Sequence, residues 1–191
     1  MVCTAWVAVV SVGCRVAGRV WKRGLNMSSV RRLMHIGISV EDLGRSVRFY
    51  REALGFTPVS KLAVGGFPCT TMFETEEIEL ECVFLERDGF RIELMSFPTP
   101  GTVGDGAVTP WRQRGLAHFA LSVTDLAATR EAIVAYGGTL LEQTYIKNDD
   151  PQYKSEVLCA ACPDGVRLEL IQSPVADPAL PLGVPVEPGD F

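Results

Sequence analysis

The sequence predicts an α+β fold built from two tandem βαβββ modules, and three observations carry that expectation. Offsetting the chain by 83 residues lays His35-Ile-Gly-Ile-Ser39-Val40-Glu-Asp42-Leu43 over His118-Phe-Ala-Leu-Ser122-Val123-Thr-Asp125-Leu126, with five of nine positions identical. An offset of 76 lays Asp88-Gly89-Phe-Arg91-Ile-Glu93-Leu94 over Asp164-Gly165-Val-Arg167-Leu-Glu169-Leu170. Within each copy the apolar pattern alternates, changes to a helical stripe, then alternates again. The offsets differ by seven, so the first copy carries about seven extra residues, expected around Phe67–Glu79.

Each element has a local reason. Met34–Val40 alternates as a strand, Asp42 stands where a helix cap belongs, and Leu43, Val47, Tyr50 and Leu54 form an apolar stripe that Gly55 ends. Apolar and β-branched runs follow at Phe56–Val64, Thr70–Phe73 and Ile78–Leu85, then the turn Asp88-Gly89, then Phe90–Ser96. The second copy repeats the order: strand Leu116–Val123, cap Asp125, helix Leu126–Tyr136, the stop Gly137-Gly138, and strands to Gln172. The expected boundaries are a first module at 34–100, a linker at 101–114, a second module at 115–173 and a proline-rich tail at 174–191. Together 34–173 make one domain.

Composition narrows the function classes. With 191 residues, 47% of them apolar and 21% charged, the chain is long enough to bury a sizeable core. A net charge of −5 gives no electrostatic reason to bind nucleic acid or an acidic membrane. A small molecule or a protein is the expected partner. Residues 1–33 hold Arg15, Arg19, Lys22, Arg23, Arg31 and Arg32 and no acid, and the apolar run Val2–Cys14 is too short to span a bilayer. Its arginines follow the apolar run, unlike a secretory signal, and serine is sparser than in a mitochondrial transit peptide. The segment is read as an extension outside the fold, with the working protein beginning near Met27 or Met34. The expected location is the cytoplasm, or an organelle if 1–33 is a transit peptide. The six cysteines are not spaced as a disulfide framework. Cys159-Ala-Ala-Cys162 falls in an apolar run expected to be strand, where its two thiols face opposite sides and make no redox pair.

Strand parity then assigns faces. Ile36, Ile38 and Val40 pack against the helix, which leaves His35, Gly37 and Ser39 on the other face. In the duplicate, Phe119, Leu121 and Val123 pack, leaving His118, Ala120 and Ser122. Ile92 and Leu94 pack while Arg91, Glu93 and Met95 face away; Leu168 and Leu170 pack while Arg167, Glu169 and Ile171 face away. A lone histidine is commonly structural, but these are the only two in the chain, they occupy equivalent positions, and each is matched by a glutamate. Two imidazoles and two carboxylates are costly to bury unpaired, and a divalent cation offsets that cost. Nitrogen and oxygen donors without thiolate suit Zn, Ni, Co, Mn or Fe(II), and four such ligands in an octahedral sphere leave two adjacent positions for substrate oxygens.

His35-Ile-Gly-Ile-Ser-Val-x-Asp-Leu, Ser46-Val-x-Phe49-Tyr50-x-x-x-Leu54-Gly55-Phe56 and Pro163-Asp164-Gly165-x-x-x-Glu169-Leu170 resemble the vicinal oxygen chelate superfamily, also called glyoxalase/bleomycin resistance/dioxygenase. The resemblance covers about residues 34–173. It implies a cupped mixed-sheet half-barrel with His35, Glu93, His118 and Glu169 as metal ligands, a small-molecule substrate, and a homodimer as a common assembly. The ligand order is closest to glyoxalase I and to methylmalonyl-CoA epimerase, although the epimerase usually has glutamine where Glu93 stands. The implied reaction is a lyase or isomerase proton transfer. The metal chelates vicinal oxygens of a hydroxy-carbonyl or acyl-thioester substrate, and Glu169, or else Glu93, moves a proton through an enediolate or enolate. An extradiol-type dioxygenase and a non-catalytic drug-binding protein are the alternatives; the second glutamate argues against the first, and the complete set of ligands against the second. Glutathione-using members place an arginine four residues after the first histidine and often an asparagine four after the first glutamate, where this chain has Ser39 and Phe97. By parity Arg91 and Arg167 are the candidate substrate contacts, ahead of Arg112, Arg114, Lys147 and Lys154.

Overall fold

The computed structural model describes residues 29–149 and 154–174. Most of the extension, with Cys3 and Cys14, and nearly all of the proline-rich tail lie outside the described residues. Two four-stranded mixed sheets form, ordered β1-β4-β3-β2 and β5-β8-β7-β6. The first holds β1 (Ile36–Ser39), β2 (Thr57–Gly65), β3 (Glu79–Arg87) and β4 (Phe90–Thr99); the second holds β5 (Phe119–Val123), β6 (Thr139–Asn148), β7 (Ser155–Ala161) and β8 (Arg167–Gln172). In each, the first strand runs parallel to the last, with Gly37 opposite Glu93 and Ala120 opposite Glu169, and the other pairings are antiparallel. The repeat is therefore also a repeat of topology. Among the described residues no helix is long and apolar enough to cross a membrane.

Helix α1 (Leu43–Glu52) starts where the Asp42 carboxylate accepts the Arg45 N–H at 2.9 Å, and α3 (Leu126–Ala135) where Asp125 accepts from Ala128 N–H at 2.9 Å. Each carboxylate satisfies a backbone donor that the helix itself leaves unpaired. Gly55, at φ 69°, turns the chain out of the first helix. The stripe on α1 is wider than the sequence pattern alone suggests. Ser46, Phe49 and Tyr50 are its fully buried residues because a second surface covers them: Phe49 would meet a Cβ placed on Gly138 of the second module.

One core serves both modules. Ile38, Leu85, Ile92 and Leu94 of the first sheet and Leu158, Ala160, Leu168 and Leu170 of the second belong to the same buried cluster, with Phe49, Tyr50 and Ile133 from the helices. At about 2 kcal/mol for each large apolar side chain buried, this cluster is the main source of cohesion between the halves. A polar contact adds to it. The Asp164 carboxylate, only 5% exposed, accepts from Glu41 N–H and the Arg45 guanidinium, each at 3.0 Å, and from the Ser46 hydroxyl. The turn of the second module is thereby fastened to the start of α1.

The expectation of a third apolar run as strand is corrected at Thr70–Phe73. Those residues belong to a one-turn helix, α2 (Cys69–Met72), and the residue after it. The strands that flank this insertion pair directly with each other, Gly65 opposite Glu79, so the segment is the excursion at the end of a hairpin rather than a rung of the sheet. Instead it lies over the first sheet, where Cys69 and Phe73 pack with Ile78, Leu80, Cys82, Phe84, Met95 and Phe97. The extra residues of the first copy thus form a cover.

Candidate metal centre

The helix-side faces of both sheets meet in the shared core, so the histidines and glutamates lie on their other faces. In the first sheet His35 Nε2 is 3.0 Å from Glu93 Oε2; in the second His118 Nε2 is 3.2 Å from Glu169 Oε2. The parallel pairing of first and last strand produces both contacts, because it sets each histidine diagonally across from the glutamate of the same face. Two ligands at about 2.1 Å from one cation and at right angles are separated by about 3.0 Å, so each pair has the spacing of adjacent positions in a coordination sphere. The donors are imidazole and carboxylate, which suits a borderline or hard divalent ion. Yet the two pairs stay apart, and among the described residues no group of three or more His, Cys, Asp or Glu is close enough to hold a metal. One chain presents two half-sites.

The first half-site is made by its own sheet. The His35 ring meets the Phe84 ring edge-on at 5.5 Å, and Phe84 is the β3 residue opposite Glu93. Cys82, two residues along the same face, is 1% exposed, and burial first, with the Glu93 carboxylate second, pushes its thiol up to about 12, so it is neutral at physiological pH. Glu93 is 14% exposed under this cover. Phe97 packs against Phe73, with ring centroids 5.8 Å apart, and offers no hydrogen bond.

The second half-site recruits the linker. The hydrogen bond from Gln113 N–H to Pro110 C=O, 2.9 Å, closes a turn that presents Trp111. Its ring lies 4.8 Å from the His118 ring at 66°, and the Arg167 guanidinium sits 4.6 Å from the Trp111 centroid while donating to Thr109 C=O at 3.1 Å. Sequence reasoning did not single out Trp111. An aromatic after a proline in a polar linker was the available signal, but nothing local says which strand it will lie over.

The remaining sequence candidates fall as follows. Arg167 is buried at 8% exposure with the contacts just given, and Arg91 is paired with Glu86 through Nε at 2.7 Å and through Nη2. Both arginines are thus engaged by the protein itself. Lys147 lies 3.8 Å from Glu156 on exposed β6, and Arg112, Arg114 and Lys154 are exposed. Cys159 faces the Glu169 side, directly opposite it in the β7–β8 register, whereas Cys162 joins the core cluster and accepts from Asp164 and Val166 N–H at 3.4 and 3.3 Å. Both thiols are free. A cavity of about 310 Å³ opens beside the start of α1, lined by Ser39, Arg45 and Asp164 among others, and none of the four candidate ligands borders it.

The fold and the comparisons with known proteins together define the family. Residues 32–170 match the family model described as Glyoxalase/Bleomycin resistance protein/Dioxygenase superfamily, and the chain belongs to that family. It is similar to a putative lactoylglutathione lyase of Brassica oleracea var. gemmifera, 30% identical over 150 residues, which are 78% of this chain and 47% of the relative. A probable lactoylglutathione lyase of Vibrio cholerae is 27% identical over 157 residues, 80% of this chain and 98% of that protein. The chain therefore spans about half the length of the plant relative and nearly all of the bacterial one. Among solved structures, a glyoxalase family protein from Bacillus cereus superposes with a TM-score of 0.66 at 18% identity, covering 78% of this chain and 98% of its own. Glyoxalase I from Zea mays gives 0.52 at 25% identity, covering 74% of this chain and 44% of its own.

Proposed function

We propose that the protein is a divalent-metal-dependent lyase or isomerase of the glyoxalase type, with His35, Glu93, His118 and Glu169 as ligands. The observation that carries this reading is the twice-repeated pair, each with its Nε2 and Oε2 atoms 3.0–3.2 Å apart. Two copies of the chain make one complete set, the first pair of one with the second pair of the other, because both helix-side faces are committed to one core within each chain. A bound divalent cation supplies Lewis acidity, stabilising negative charge on two neighbouring substrate oxygens and acidifying the adjacent C–H. His35 and His118 hold their Nε2 atoms toward the carboxylates. Glu169, released from ligation, would take the proton on its carboxylate and return it at the neighbouring carbon or at the opposite face of the same one. Glu169 is the more exposed carboxylate, 29% against 14% for Glu93. Greater access fits a base, and deeper burial fits a fixed ligand.

The substrate class is a small hydroxy-carbonyl compound or acyl thioester. Ser39 and Phe97 replace the polar pair associated with glutathione, which favours a thiol carrier other than glutathione or none.

Metal analysis of the purified protein, with His35→Ala and His118→Ala beside it, tests the reading. About one Zn, Ni, Co, Mn or Fe per complete set is expected in the parent and little in either variant. Mixing the two variants then tests the assembly. Random exchange rebuilds about a quarter of the native sites if each set spans two chains, and none if each chain closes its own cup. Solvent-deuterium incorporation into hydroxy-carbonyl compounds and acyl thioesters, lactoylglutathione among them, identifies the substrate. A parent protein that takes up no divalent metal in excess sinks the proposal.

A further inference from the structure

We infer that Trp111 and Arg167 are positioning residues that lock the His118 ring into its ligand orientation, so that the linker is a working part of the second half-site. This rests on His118 being a metal ligand. A ligating histidine is ordinarily aimed by a hydrogen bond from its second ring nitrogen to a carboxylate, carbonyl or water. His118 Nδ1 is buried and has no such partner among the described residues. What touches the ring instead is Trp111, at 4.8 Å. Trp111 is itself 45% exposed and sits in a loop, so it needs a fixed point. Arg167 provides one, because its guanidinium lies 4.6 Å from the indole centroid and its Nη2 donates to Thr109 C=O, two residues before the tryptophan. The chain of contact runs from Thr109 and Trp111 through Arg167 on one side, and through His118 to Glu169 on the other. Among the described residues His35 has no aromatic contact from a loop; its aromatic neighbour, Phe84, is held in a strand.

The chain contains only two histidines, so His118 can be followed directly by NMR of its ring C–H signals, with His35→Gln supplying the assignment. In the metal-free parent the His118 signals are expected to carry a ring-current shift from Trp111. Trp111→Ala should abolish that shift and broaden the signals, and Trp111→Phe should retain much of it. Metal affinity, measured by competition with a chromogenic chelator, should weaken about 10- to 100-fold in Trp111→Ala and by less than about threefold in Trp111→Phe. Arg167→Met should behave like a milder Trp111→Ala. The double variant should bind metal no more weakly than Trp111→Ala alone, since Arg167 acts through the tryptophan. Unmoved His118 signals in Trp111→Ala, an affinity within about twofold of the parent, or additive losses in the double variant would each overturn the inference. A parent that binds no metal, yet whose His118 signals move as described, would sink the proposed function and leave the positioning role standing.

Discussion

The two candidate half-sites hold the same pair of side chains, a histidine and a glutamate, by different means. In the first, the aromatic and thiol neighbours of the pair among the described residues come from its own sheet or from the α2 cover: Phe84 beside His35, Cys82 beside Glu93, and Phe73 and Phe97 close by. In the second, the ring is gripped by a loop residue, Trp111, which Arg167 anchors, and the glutamate is left twice as exposed. The duplication conserved where the ligands point and let their surroundings diverge. A rigid, covered carboxylate and a freer one suit different tasks, and that division is what the following experiments probe.

The largest effect is expected for the glutamates. Glu169→Gln should lower the rate of substrate proton exchange about 10²- to 10⁴-fold with metal still bound under excess, the usual loss of a general base. Glu93→Gln should show itself first as weaker metal binding; stopped-flow rates and metal dissociation constants for both variants decide between them. Equal kinetic losses at saturating metal would erase the proposed division of labour.

Next comes stability, where the modules are expected to behave as one. Phe49→Ala should cost about 3–5 kcal/mol, because Phe49 lies in the shared core against the second module. Urea unfolding followed by Trp fluorescence and by far-UV circular dichroism should give coincident transitions; separate transitions would mean that the modules are independent. Asp164→Ala removes the buried acceptor for three donors and should cost about 1–3 kcal/mol in the same assay. A loss within about 0.3 kcal/mol would show that this junction is dispensable.

The smallest effect separates the thiols. Cys82→Ala should cost about 1 kcal/mol and loosen metal binding a fewfold through Glu93, whereas Cys162→Ala, on the core side, should alter stability alone. Activity should not respond to mild oxidant in the manner of a Cys-x-x-Cys redox pair, since Cys159 and Cys162 lie on opposite faces.

Sequence legibility differed along the chain for physical reasons. Parity and repeat placed His35, Glu93, His118 and Glu169 on the faces opposite the core, because side-chain direction along a strand is a local property of the backbone. The caps Asp42 and Asp125 were readable on the same ground. Thr70–Phe73 was not: four residues carry no usable period, and whether they pair or coil depends on how the strands on either side pair with each other. Phe49 stood off the α1 stripe because that stripe anticipates one packing surface, and the second is supplied from Gly138, far along the chain.

The residues themselves thus contained the duplication, the element order and the pairing of each histidine with a glutamate on one face, all of which follow from spacings shorter than a strand or helix. Tertiary structure alone decided that the two modules share a core, that the ligand pairs lie apart within one chain, that Asp164 rivets the modules together, and that Trp111 reaches His118. Those are contacts between segments distant in sequence, formed by how whole surfaces fit, and no local pattern of residues encodes which surface will meet which.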